Sequence, residues 1–247
     1  MHVHRDQALL GCLSSFVCVW LLASSTAVAQ DKSPAPAKPI EAQSYRSGLK
    51  SIVLPPPTTD LNEMGSDYRV LVESMVPDTN RLLAAFVSAE DLANVRSGVS
   101  KPLVRYALVE NLRRAEFADI SADIFKQVSD GVAQQAGVDL SASTKDNEEE
   151  LNHKLKAMLG SNTTVALEKP VPVGAFFSKP NACGFGMIES LSAPGNAVKI
   201  VVGVTVLRVQ SRLIYAYVFS AFKDEDSVQW VRKTSEQWAD AILKANE

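Results

Sequence analysis

The chain has 247 residues, with 25 basic and 28 acidic side chains, a formal net charge of −3 and 46% hydrophobic residues. This composition is typical of a globular protein and argues against a disordered, collagen-like or low-complexity chain. A pI near 5.7 and the lack of a basic tract argue against a nucleic-acid partner. Three cysteines are too few for a disulfide framework.

Residues 1–29 have the pattern of a secretory signal peptide. A short polar start precedes an apolar run from Ala8 to Ala23, and an A-x-A cleavage pattern ends at Ala29. The alternative is an uncleaved membrane anchor, although the run is shorter than the ~20 residues that span a bilayer. We therefore expect a periplasmic or secreted protein that has no spanning segment once the signal is removed.

The remaining chain is predicted to be a tether followed by a domain. Residues 30–50 are rich in Pro, Ala, Ser and charged residues, which is typical of a flexible linker. Residues 51–247 are expected to form a single α+β domain. A polar connector over Ser141–Asn147 leaves open a division into two lobes near 138–147.

Strands and helices are expected to alternate in the first half of the domain. The predicted strands are Arg69–Met75, Arg81–Val87 (alternatively a short helix) and Leu103–Glu110, with a turn at Pro77–Asn80. The predicted helices are one capped by Ser88 and ending near Arg96, and one capped by Ser121 and ending near Gln135. On the second helix, Ile124, Val128 and Val132 recur every four residues and predict its buried face.

The second half is predicted to contain a helix, a series of strands and a closing helix. Glu148–Leu159 is the first helix, with Leu151 and Leu155 on its apolar face and an i,i+4 pair between Glu150 and Lys154. The predicted strands are Val171–Phe177, Phe185–Leu191, Val198–Val209 and Leu213–Phe222, the last two joined by Gln210–Ser211. The closing helix covers 228–245, with Ser227 as its cap and Val231, Trp238, Ile242 and Ala245 on one face.

The 198–222 hairpin is predicted to be the centre of a largely antiparallel sheet. Both faces of its second strand are mostly apolar, so both should be covered, one of them by the closing helix. Lys199, Arg208 and Arg212 interrupt the hairpin and exclude a membrane-spanning helix there. The hairpin followed by a long helix resembles the α+β sandwiches of the PsbP and Mog1 type. No motif residue carries this resemblance, so it assigns no family.

Candidate catalytic residues are scarce after the predicted signal. His153 and Cys183 are the one histidine and the one cysteine that would remain. His153 lies among charged residues on a helix expected to be exposed, and Cys183 lies at a turn that enters a strand. Nothing in the sequence brings them together as a nucleophile and base, so Cys183 is expected to be a buried structural thiol.

The patterns for cofactors and metals are also incomplete. Glu149 and His153 are four residues apart on one face of a predicted helix, with Asp146 nearby in the chain, but these residues are too few for a zinc site. The sequence Gly184-Phe185-Gly186 lacks the third glycine of a dinucleotide fingerprint. Arg113-Arg114 is too short for a nucleic-acid patch. We therefore assign no residue to catalysis, to a cofactor or to a metal.

These observations favour an exported, non-catalytic binding or accessory protein of the cell envelope. Its partner would be a protein, a lipid or a small ligand. The alternative is an exported hydrolase that uses carboxylates, and the sequence does not identify a converging pair. Trp238 is expected in the core, and Trp230 lies to one side of the buried helix face.

Overall fold

The computed structural model describes residues 42–97, 103–135, 141–159, 164–193 and 196–247. The predicted signal peptide and residues 30–41 lie outside these ranges. The strands are β1 (Gln43–Ser47), β2 (Lys50–Leu54), β3 (Leu61–Glu63), β4 (Asn80–Ser88), β5 (Arg105–Leu112), β6 (Ala166–Leu167), β7 (Val171–Lys179), β8 (Ala182–Ala193), β9 (Asn196–Val209) and β10 (Arg212–Ala221). The helices are α1 (Ser66–Met75), α2 (Ala89–Arg96), α3 (Ala122–Gln135), α4 (Ser141–Leu159) and α5 (Glu225–Ala245), and Arg113–Ala115 forms a 3₁₀ turn.

Eight strands form one antiparallel sheet, and β1 and β2 form a separate hairpin. The order in the large sheet is β3-β4-β5-β10-β9-β8-β6, and β7 also pairs with β8. The predicted α+β class and the central position of the 198–222 hairpin are therefore confirmed. Gln210 and Ser211, which join β9 to β10, have φ values of 47° and 64°, as a two-residue hairpin turn requires. Strands from both sides of residues 138–147 share this sheet, because β5 pairs with β10.

Both faces of the sheet are buried, as predicted from the apolar hairpin. On one face, helices α1, α3 and α4 contribute Val72, Phe125 and Leu155 to a core that includes Tyr217 of β10. On the other face, α5 and the β1–β2 hairpin contribute a second core; its members include Ile52, Leu54, Val231, Trp238 and Ile242. The molecule therefore has three layers, with the sheet in the middle.

Two predicted elements of the helical layer are wrong. Residues 69–75 belong to helix α1 rather than to a strand, because Val72, Met75 and Val76 are buried at helical spacing while Val70 is exposed. The polar connector predicted over Ser141–Asn147 is the first part of α4. Polar and charged residues suit this part of α4, because Lys145 and Asp146 face solvent there.

The tether predicted over 30–50 is wrong at its C-terminal end. Residues 43–47 pair with residues 50–54, and Ser47 of the hairpin is fully buried. The hairpin is ordered by docking rather than by its own composition. Asn246, after the end of α5, donates to the carbonyl of Val53 and accepts from its N–H, each at 2.8 Å.

The helix caps were predicted with mixed success. Ser88 and Ser121 accept hydrogen bonds from N–H groups of the first turns of α2 and α3, at 3.0 and 3.2 Å. The cap of α5 is Asp224 rather than Ser227, and its carboxylate accepts from the N–H of Ser227. Ala245, expected on the buried face of α5, is exposed.

The buried face of α3 is rotated by about one residue from the prediction. Phe125, Ser129 and Val132 are buried, whereas Ile124 is 45% exposed. The predicted spacing of four residues therefore included Ile124, which lies outside the buried face. Phe125 fills the core in its place.

Helix α5 lies directly against the sheet at Gly203 of β9. A Cβ atom at this position would stand 2.7 Å from Cγ1 of Val231 and would also overlap the hydroxyl of Ser235. Further along α5, the Trp238 indole packs edge-to-face on Phe86 and donates from Nε1 to the carbonyl of Pro55 at 2.7 Å. Gly203 and Trp238 therefore set how closely α5 and the hairpin dock.

We expect Gly203→Ala to destabilise the protein, because the added methyl group pushes α5 away from β9. The cost should be roughly 1–3 kcal/mol in the free energy of unfolding, measured by urea titration. Gly131→Ala in α3 is the matched control, since its Cβ would meet nothing within 4 Å. The control should gain roughly 0.5–1 kcal/mol. Equal effects of the two substitutions would contradict the close contact at Gly203.

Trp238→Ala should cost about 3–5 kcal/mol, because it empties a large buried site between α5, the sheet and the hairpin. Trp238→Phe keeps much of the packing but loses the hydrogen bond to Pro55, so it should cost about 1 kcal/mol. Thermal and urea unfolding provide the measurement. An unchanged unfolding midpoint in the alanine variant would remove Trp238 from the core.

Candidate functional site

The candidate base His153 and the candidate nucleophile Cys183 lie in different environments. His153 is exposed on α4. Cys183 is buried on β8, as predicted, and burial raises the pKa of its thiol more than hydrogen bonds with Ser129 and Val206 lower it. A raised pKa disfavours the thiolate, which is the reactive form of cysteine. Cys183 therefore has the environment of a structural thiol.

The other sequence candidates are also dispersed. Within the described ranges, no group of three His, Cys, Asp or Glu side chains is placed to hold a metal ion. Glu149 instead faces Lys145, at 3.9 Å. Trp230 is half-buried, and the guanidinium of Arg105 lies 4.2 Å from the centre of its ring. None of the helices in the described residues is both long and apolar enough to cross a membrane.

Two buried glutamates lie on the face of the sheet that α1, α3 and α4 cover. Burial raises the pKa of Glu110 to about 7, against smaller opposing effects of Asn80 and Lys154. Burial alone raises the pKa of Glu189 to about 8. Sequence reasoning did not single out either residue. The signal in the sequence was their position. Each glutamate has a large apolar residue two positions before it and another two positions after it in the same strand, and these residues share a face with it.

The two buried carboxyl groups do not form a catalytic pair. Glu110 of β5 lies opposite Tyr215, which lies opposite Val206 of β9. Glu189 of β8 lies opposite Ile200, six residues before Val206. The two acids are therefore about 20 Å apart along the strands and about 14 Å apart across them. Glycoside hydrolysis needs carboxyl groups within about 10 Å of each other, so this pair gives the hydrolase alternative no support.

A distinct surface lies at one end of the sheet, where the β1–β2 turn meets the loop that follows β5. Leu49 in the turn is 76% exposed, and Phe117 in the loop is 67% exposed. Four exposed basic side chains flank them in the chain: Arg46, Lys50, Arg113 and Arg114. We call these six residues the Leu49–Phe117 surface. It combines exposed large apolar groups with positive charge in a chain whose net charge is negative.

Glu116 holds the turn and the loop together. Its carboxylate accepts from the N–H of Gly48 at 3.1 Å and forms an ion pair with Arg81, which also donates to the carbonyl of Arg46. Burial acts to raise the pKa of Glu116, but the Gly48 N–H and the neighbouring Arg81 and Arg113 hold it below its ordinary value. The carboxylate therefore stays ionised in its role as a bridge.

Two further arginines fix the other side of the loop. The buried Arg212 donates to the carbonyl of Phe117 at 3.1 Å and pairs with Asp119 at 2.9 Å. Arg208 donates from Nε to the carbonyl of Ile120 at 2.6 Å. The backbone on both sides of the Phe117 ring is thus held by side chains of neighbouring elements, which keeps the ring directed outward.

Gly48 allows the turn to approach this loop. Its φ is +57°, and a Cβ atom there would lie 2.6 Å from the carbonyl oxygen of Glu116 and 3.2 Å from the Phe117 ring. Both the backbone conformation and the close contact require glycine. The turn therefore lies against the Phe117 loop at Gly48, and Leu49 is the next residue of that turn.

Sequence reasoning missed this surface for a specific reason. Residues 43–50 were assigned to a tether, and Arg113-Arg114 was considered only as a nucleic-acid patch. Gly48 and Glu116 are 68 positions apart in the chain, so no local pattern predicts their contact. The available signal was a large apolar residue at each position, 49 and 117, in a short polar segment with adjacent basic residues.

We expect Glu189→Gln to stabilise the protein at high pH. The folded chain keeps the Glu189 proton up to about pH 8, whereas the unfolded chain releases it near the ordinary value of 4.5. The unfolded state therefore binds fewer protons in this interval, and stability falls as pH rises. The variant should gain on the order of a few kcal/mol over the native chain at pH 9 and almost nothing at pH 4.

Urea titrations from pH 4 to pH 9 provide the measurement for this glutamate substitution. Glu168→Gln removes an exposed carboxyl group nearby in the chain and serves as the control. If the free energy of unfolding of the native chain does not fall relative to that of the Glu189→Gln variant as pH rises, Glu189 is not held in its neutral form.

Comparisons with known proteins leave the family open. No family model matches the chain, and no curated protein matches it. A solved structure of a point mutant of the protein Mog1 has 14% sequence identity and a TM-score of 0.29, over 84% of this chain and 93% of that one. The structure of the Saccharomyces cerevisiae Ran-binding protein Mog1p has 14% identity and a TM-score of 0.25, over 83% and 90%. Similarity at this level assigns neither fold nor function to this chain.

Proposed function

We propose that this chain is an exported, non-catalytic binding protein of the cell envelope and that it binds through the Leu49–Phe117 surface. The observation that carries the proposal is the rigid outward display of Phe117. Its loop is held on one side by Glu116 and on the other by the buried Arg212. Large apolar side chains that are exposed on a fixed backbone do not contribute to the core of the protein, so this exposure is an argument for binding.

The rigidity of this surface supports a role in binding. Ordering a loop on association costs free energy, and a loop that is already ordered avoids this cost. Aromatic side chains and arginines are enriched among residues that dominate binding energies. The surface supplies both types, with Phe117 beside Arg113 and Arg114 in the chain.

Support for export comes from the N-terminal sequence. The apolar run and the A-x-A pattern of residues 1–29 fit a cleaved signal. Residues 30–41 would then connect the new N-terminus to the β1–β2 hairpin. In this arrangement the N-terminal segment leads to the hairpin that carries Leu49.

A photo-crosslinking side chain placed at position 117 should capture the partner in cells that export the full chain. The same probe at Val171 of β7 is the matched control, because Val171 is also a large exposed apolar residue. We expect an adduct with protein or lipid from position 117 and none from position 171, analysed by electrophoresis and mass spectrometry. The same lack of adducts at both positions would refute binding through this surface.

Export should be tested separately by fusing residues 1–41 to alkaline phosphatase, which is active only outside the cytoplasm. We expect an active fusion, and we expect the N-terminus of the exported full chain to be Gln30. An inactive fusion would refute export. An active fusion with an intact N-terminus would show that the segment is an uncleaved anchor.

A further inference from the structure

We propose that the Leu49–Phe117 surface docks on an anionic lipid bilayer. This inference rests on the proposed function, because it names the partner of the same surface. It does not depend on cleavage of the signal, since the surface belongs to the folded domain.

The first argument is the shape of the surface. Leu49 stands in the two-residue turn of a hairpin, and Phe117 stands in a turn that follows the 3₁₀ segment. Both side chains are largely exposed, and both belong to turns at the end of the sheet. A bilayer accepts projecting apolar groups without a matching cavity, and aromatic rings are favoured at the level of the headgroups.

The second argument is the charge around these two side chains. Arg46 and Lys50 lie on the two strands beside the hairpin turn, and Arg113 and Arg114 precede the Phe117 loop; all four are exposed. Basic residues beside inserted apolar groups are attracted to the negative surface of an anionic membrane. The apolar and cationic groups of this surface would act together at the same interface.

The third argument concerns the acids of the same region. Glu116 is ion-paired with Arg81, and Asp119 is ion-paired with Arg212. These pairs offset the negative charges closest to Phe117. Asp123, exposed in the first turn of α3, is a further acid nearby in the chain. The four exposed basic residues of the surface therefore outnumber these three acids.

The test measures binding of the exported, purified chain to vesicles. One set contains phosphatidylcholine alone, and the other contains phosphatidylcholine with about one third phosphatidylglycerol. We expect at least about tenfold tighter binding to the anionic vesicles, and weaker binding when salt is raised from 0.1 to 0.5 M. Equal binding to both sets, or no binding to either, would overturn the proposal.

Two double variants assign the binding to this surface. L49S with F117S removes the apolar groups, and R113Q with R114Q removes two charges; each should weaken binding by about tenfold or more. V70S with V171S, and R96Q with K199Q, are the matched controls, since these four residues are exposed elsewhere. The controls should bind like the native chain. Equal losses in the test and control variants would overturn the assignment.

A spectroscopic measurement follows the depth of insertion. Phe117→Trp should show a blue shift of its fluorescence on anionic vesicles, whereas Val171→Trp should not shift relative to the native chain. No shift at position 117 would overturn insertion of this side chain.

A discrete protein adduct from the position 117 photoprobe, together with no vesicle binding, would replace the bilayer by a protein partner and leave the proposed function standing. No adduct from that probe would instead refute the proposed function.

Discussion

Burial of both faces of the β9–β10 hairpin is the constraint on which the rest of the structure depends. Consecutive side chains of β10, such as Tyr217 and Val218, belong to opposite cores and are both fully buried. An apolar strand of this kind must be covered on each side. The chain meets this requirement with α1, α3 and α4 on one face, and with α5 and the β1–β2 hairpin on the other.

This arrangement also accounts for the chemistry at the end of the sheet. Where β9 ends and β10 begins, Arg208 and Arg212 hold the loop after β5 through backbone carbonyls. Arg81 at the start of β4 neutralises Glu116 at the junction with the β1–β2 turn. The positive charges of these arginines stabilise the loop and the turn, while other basic residues remain at the surface. The Leu49–Phe117 surface is thus a product of how the layers are joined.

The sequence predicted those parts of the fold that have a strong local signal. The long β-branched run of β9, the turn at Gln210–Ser211 and the apolar face of α5 are recognisable from neighbouring residues alone. Residues 69–75 were taken for a strand, since an apolar stretch of seven residues suits either structure and burial in the tertiary fold decides between them. The β1–β2 hairpin was missed because its order depends on Asn246, which is 193 positions from Val53. The candidate surface depends on a similar long-range contact.

The order of strands in the sheet has a consequence for the sequence of folding. Strand β5 pairs with β10, so Glu110 cannot pair with Tyr215 until the ribosome has synthesised β10. The hairpin likewise lacks its Asn246 contacts until residues 225–246 have emerged during synthesis. A growing chain therefore cannot close its sheet or dock its first hairpin early. Pairing between distant strands slows folding, so β5 and the β1–β2 hairpin stay without these partners until β10 and α5 have been made.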